Sequence, residues 1–162
     1  MTTEAIAPLR RSVTVRCTPE TAFRVFTAGM GRWWPLDVHA IAVDEETGHR
    51  AVDVGWEPRA GGEVYEITDD GRRGHWADVV AWEPPHRLVM AWRPNAERAA
   101  ATEVEIRFTA IDGGTLVELE HRAWQRLGEL AHRAREAYGS DTGWVITLQR
   151  FAAAADAETA AT

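Results

Sequence analysis

Thr102–His121 reads TEVEIRFTAIDGGTLVELEH. Its first half alternates without a break: Val104, Ile106 and Phe108 face one way, Glu103, Glu105 and Arg107 the other, as successive side chains of a strand must. Asp112–Gly113–Gly114 turns the chain. Val117, Leu119 and His121 then resume the apolar face, while Glu118 and Glu120 join the charged one. Two half-apolar strands on a tight turn make an antiparallel hairpin, and on its wet face Arg107 is expected to pair with Glu118 or Glu120.

Period-two patterning extends upstream to about Arg50. Val52, Val54 and Trp56 alternate, EPRAGG turns, and Glu63, Tyr65 and Ile67 alternate up to the Asp69–Asp70–Gly71 turn. His75–Glu83 is a further strand, stopped by Pro84–Pro85 because proline cannot donate to a ladder. Arg87–Trp92 is the next. Near the start, Ser12–Cys17 alternates Val13, Val15 and Cys17. A helix follows with Thr18 as N-cap, Pro19 at its first position and Ala22, Phe23 and Phe26 at helical spacing, before Gly29 and Gly31. Gly31–Asp37, GRWWPLD, allows no more than a turn of helix.

Downstream the period changes to that of a helix. Leu127, Leu130, Ala131, Ala134 and Tyr138 form a stripe that Gly139 ends. Ser140 or Asp141 caps a second helix with Trp144, Val145, Leu148, Phe151, Ala152 and Ala155 on one face, and residues 156–162 are expected to fray. Strands joined by short turns, then helices, define the α+β class: one domain over residues 1–162, core about 12–155, in which a long C-terminal helix covers an antiparallel sheet of six to seven strands.

Composition narrows the chemistry. The chain has 162 residues, net charge −7, eight Trp against four Phe and two Tyr, and eighteen basic residues, all Arg. Without lysine there is no Schiff-base or P-loop lysine. The negative field opposes nucleic acid and anionic membranes. Residues 1–8 lack a basic region followed by an apolar core, and no run of 18 apolar residues occurs, so the expectation is a cytoplasmic protein without signal peptide or membrane span. Cys17 stands alone and is expected to be a small buried hydrophobe.

Several segments together resemble the START-like superfamily of helix-grip folds, and within it proteins similar to the C-terminal domain of the activator of heat-shock-protein-90 ATPase. They are Trp33–Trp34 after the short helix, WEPRAGGEVYEI at Trp56–Ile67, ADVVAWEPPHRLVMAW at Ala77–Trp92, EVEIRF at Glu103–Phe108, GGTLVELEHRAW at Gly113–Trp124, and Gly143–Trp144 opening the last helix. The resemblance implies a curved sheet wrapped around the long helix, two short helices after the first strand, and a cavity where superfamily members hold apolar ligands. It leaves three functions open, since one fold hosts many: a small-molecule carrier, a polyketide cyclase or aromatase, and a chaperone-interacting module.

The residues point away from cofactor chemistry. His39, His49, His75, His86, His121 and His132 show no metal-ligand spacing, Ser12 and Ser140 lie in no nucleophile context, and Gly61–Gly62 reads as a turn, so no metal, cofactor or catalytic triad is expected. Two polar residues share faces with inward apolar ones: His121 with Val117 and Leu119, and Glu63 with Tyr65 and Ile67. Trp33, Trp34, Trp76 and Trp144 stand where a cavity would be entered or lined. Trp56, Trp82 and Trp92 fall on strands and suit the core. The expected contacts of an apolar or aromatic ligand are Trp33, Trp34, Glu63, Tyr65, Trp76, Trp92, His121 and Trp144.

Overall fold

Val15 and Cys17 are buried, as the alternation of Ser12–Cys17 requires, although their strand begins earlier, at Leu9. The computed structural model describes residues 6–35, 50–92 and 101–160. Strand β1 (Leu9–Val15) leads into α1 (Pro19–Phe26), whose N-terminus is capped by the Thr18 hydroxyl accepting from Thr21 N–H at 3.3 Å. A short 3-10 turn at Met30–Arg32 carries Trp33 and Trp34. Then come β2 (Ala51–Trp56), β3 (Glu63–Thr68), β4 (Arg73–Glu83), β5 (Arg87–Trp92), β6 (Thr102–Ile111) and β7 (Gly114–Arg122). All seven strands form one antiparallel sheet in the order β1-β7-β6-β5-β4-β3-β2. The chain is thus α+β, a helix-grip architecture.

Register decides which side chains turn inward. Trp92 pairs with Thr102, Met90 with Val104 and Leu88 with Ile106, while Val104, Ile106 and Phe108 pair with His121, Leu119 and Val117. All of these are buried. Irregularities between Ala51 and Asp53, at Trp76 and between Val79 and Ala81 each shift the alternation by one and bend the sheet. The first turns Val52 outward, 52% exposed, against the expectation from simple alternation.

The second helical region starts with a 3-10 run, Trp124–Leu130, and continues as α2 (Ala131–Gly139). After a π-type turn at Asp141–Val145, α3 runs from Ile146 to Ala160, past the point where fraying was expected. Its Leu148, Phe151 and Ala155 are buried against the sheet's apolar face. Gly143 makes the corner possible: a Cβ there would lie 2.2 Å from the Tyr138 carbonyl oxygen.

On the outer face the charges form a ladder, but not with the expected pairing. Arg107 stands opposite Glu118, yet its guanidinium reaches Glu105 at 2.6 Å, and Arg87 and Arg122 reach the same carboxylate at 2.8 and 2.6 Å. Glu120 is taken by Arg10 at 2.9 Å and Arg122 at 2.8 Å. Burial pushes the Glu105 carboxyl up, but hydrogen bonds from Arg122 and Arg87 and the Arg87 and Arg107 charges outweigh it and hold it at about 2.

Candidate functional site

All eight tryptophans belong to one chain of touching rings. Trp56 lies 6.1 Å from Trp82, Trp82 4.9 Å from Phe23, and Phe23 5.2 Å from Phe108. Phe26 links Phe108 at 5.9 Å to Trp33 at 5.2 Å, and Trp33 lies 5.9 Å from Trp34. Trp34 then packs on Trp76, Trp92 and Trp144 at 4.6, 5.7 and 6.0 Å. Tyr138 continues the seam from Trp144, at 6.1 Å, to Trp124, at 5.8 Å. Such spacings are those of favourable ring pairs, each worth about 0.5–1.5 kcal/mol beyond area burial.

One end of the seam is sealed around His121. The Trp144 indole N–H donates to His121 Nδ1 at 3.0 Å, so the ring proton sits on Nε2, which is 2.7 Å from Thr102 Oγ1. The Thr102 hydroxyl in turn donates to the Trp92 carbonyl at 3.1 Å. His121 is fully buried, and burial pushes it down to about 3. It is therefore neutral at physiological pH with both ring nitrogens engaged, which suits packing better than proton transfer. Nearby, the Trp92 N–H donates to the Tyr138 hydroxyl at 3.0 Å and the Trp124 N–H to the His121 carbonyl at 2.9 Å.

The other end is open. A cavity of about 630 Å³ lies between α1 and strands β2–β4, walled by Phe23, Val54, Trp56, Tyr65, Trp82 and Pro84, with Glu20 and Arg24 also on its lining. Trp56 and Trp82, assigned to the core from their strand positions, are only partly buried and face this space. The Trp56 indole N–H is buried and has no hydrogen-bond partner among the described residues.

The structure brings together Trp33, Trp34, Trp76, Trp92, His121 and Trp144, all buried. It separates Glu63 and Tyr65 from them. On β3 the inward face is Val64, Glu66 and Thr68, opposite to the expected set, because Trp56, Val54 and Ala51 of β2 pair with those three. Glu63 instead bonds His75 Nδ1 at 2.8 Å, and Tyr65 lies over Gly55 with the Arg73 guanidinium 4.1 Å from its ring centre. Glu66, a fully buried carboxylate, accepts from the Trp76 N–H. Trp76 is the extra residue at the irregularity between β3 and β4, since Val64 pairs with Ala77 and Tyr65 with His75. The alternation Val64-x-Glu66-x-Thr68 was the available signal, but Tyr65 and Ile67 outweighed it in hydrophobicity.

Among the described residues no group of three or more His, Cys, Asp or Glu is placed to hold a metal, and no helix is long and apolar enough to cross a membrane.

Many solved structures share the architecture. An anthrahydroquino-gamma-pyrone synthase, Txn09, solved as a complex, is 32% identical over 95% of this chain and 99% of its own, with a TM-score of 0.62. The self-sacrificing resistance protein CalC from Micromonospora echinospora is 29% identical over 93% of this chain and 95% of its own, TM-score 0.61. The Aha1 dimer from Colwellia psychrerythraea, 14% identical over 93% and 97% of the two chains with a TM-score of 0.63, supports the fold alone. No curated protein matches the sequence. The profile of the family described as Activator of Hsp90 ATPase homolog 1-like protein matches residues 16–156, and the chain belongs to that family.

Proposed function

We propose that the protein binds a planar aromatic small molecule, as a carrier or binding protein, with the ligand entering at the open end of the aromatic seam. The observation that carries this reading is the cavity of about 630 Å³ walled by Phe23, Trp56, Tyr65 and Trp82. Ligand sites are mostly apolar and aromatic and span roughly 300–1,000 Å³, so a molecule of three or four fused rings fits. In this reading Trp33, Trp34, Trp76, Trp92 and Trp144 are the buried continuation of the seam behind the pocket and do not line it. The 32% identity to a synthase named for an anthrahydroquinone product supports a polycyclic aromatic ligand.

A second reading, catalysis of the cyclase type, draws on that same relative and on Glu66, a carboxylate buried beside the indoles. A chaperone partner, suggested by the family's description, would need only an exposed surface and leaves the cavity without a role.

Native mass spectrometry of freshly purified protein, with tryptophan-fluorescence titration of polycyclic aromatic probes, tests the leading reading. Binding in the micromolar range is expected, weakened about tenfold or more by Trp82→Ala, since aromatic anchors carry much of the energy of such contacts. Unchanged affinity in that variant, or no binding to the unmodified protein, overturns it.

A further inference from the structure

We infer that the ligand of the open pocket carries a conjugated carbonyl, of the quinone or aryl-ketone class, that accepts a hydrogen bond from the indole N–H of Trp56. This rests on the aromatic-ligand reading above and narrows it.

Five other indole N–H groups along the seam donate to acceptors within the fold. Trp33 donates to the Val25 carbonyl at 2.8 Å, Trp92 to Tyr138, Trp124 to the His121 carbonyl, Trp144 to His121 Nδ1 and Trp76 to Glu66. Each acceptor comes from within the fold, and buried donors are nearly always satisfied this way. The buried Trp56 N–H has no hydrogen-bond partner among the described residues, and Trp56 stands on the wall of the open cavity. The side-chain acceptor oxygens on that wall, of Glu20, Thr27 and Tyr65, make no hydrogen bond to that N–H.

The N–H has essentially no solvent-accessible surface, so water does not reach it. An acceptor arrives only if the half-buried indole swings outward as the ligand seats, a side-chain adjustment common on binding. Phe23, Trp56, Tyr65 and Trp82 put four rings on the walls, an arrangement that favours a flat ligand. A carbonyl conjugated to a fused ring keeps its lone pairs in the ring plane, where a neighbouring indole edge can donate to it while the ligand's faces stack.

Anthraquinone-2-sulfonate and anthracene-2-sulfonate differ in the two carbonyls and share the ring width and charge. Titrated against the full chain, the quinone is expected to bind about tenfold tighter, the scale of one hydrogen bond made by a buried donor. Trp56→Phe, which keeps an aromatic wall and removes the N–H, should abolish that preference and leave the anthracene probe's affinity nearly unchanged. Trp82→Phe should weaken both probes and keep the preference. Circular dichroism confirms that each variant is folded. Equal binding of the two probes by the unmodified protein, or a preference that survives Trp56→Phe, overturns the inference while leaving aromatic binding intact. Failure of both probes overturns the aromatic-ligand reading, and this inference with it.

Discussion

The aromatic seam has a sealed end and an open end, built from the same residue type and treated in opposite ways. Around His121 the indole N–H groups of Trp92, Trp124 and Trp144 find acceptors, the histidine is held neutral, and all three indoles are buried. Around Trp56 and Trp82 the rings border a cavity, and the buried Trp56 N–H has no partner among the described residues. An indole contributes area wherever it lies, but its polar edge is settled only where the fold supplies an acceptor. Where that edge is left open beside empty space, the arrangement suits recognition better than packing.

The comparison breaks first if the two ends cost the same stability. Trp144→Ala should destabilise by about 5 kcal/mol, combining the loss of a fully buried indole with the orphaning of His121 Nδ1. Trp56→Ala, at a half-buried position, should cost about 1–2 kcal/mol. Urea denaturation of both variants measures the gap, and equal losses would mean that the open end is ordinary core.

Acid sharpens the contrast next. The His121 pKa is lowered from 6.5 to about 3 by burial, so the unfolded chain binds a proton that the folded chain refuses. Its contribution is complete above pH 6.5 and is lost as pH falls towards 3, at about 1.4 kcal/mol per unit, or roughly 5 kcal/mol across the window. Glu105, held at about 2, adds its own loss only below about 4.5. Chemical denaturation between pH 6.5 and 4.5 therefore isolates the histidine. His121→Gln should lower stability at pH 7 and flatten that slope, whereas a slope unchanged by the variant would show that another group carries it.

The same two ends differ in how far they were legible in the sequence. The strand order, the capped first helix and the inward row Val117, Leu119 and His121 followed from alternation and cap residues, because those are local properties. Trp144 and His121 could be placed near the long helix for the same reason. The open end depended on what period two cannot show. Irregularities beside Ala51 and at Trp76 shift the register of β2 and β4, and the burial of Glu66 depends on an indole ten residues further on. Tyr65 and Ile67 bring more apolar area than Val64 and Thr68, yet the strand turns the latter inward. Trp56 and Trp82 are indistinguishable from core residues by pattern, and only their three-dimensional neighbours reveal the cavity.

The smallest effect is the most discriminating, because it should change sign between the two ends. Trp92→Phe removes a donor that is bonded to the Tyr138 hydroxyl and leaves a gap in a packed cluster, so it should cost about 1–2 kcal/mol. Trp56→Phe removes a buried donor that has no partner among the described residues, relieving its desolvation penalty while giving up only part of a half-exposed ring. The two contributions nearly cancel, and the variant should fall between unchanged and about 1 kcal/mol more stable. Thermal denaturation of the ligand-free protein reads the difference as a shift in Tm of opposite direction. A loss at Trp56 as large as that at Trp92 would mean that its N–H already has an acceptor in the folded chain, and the distinction between the sealed and open ends would go with it.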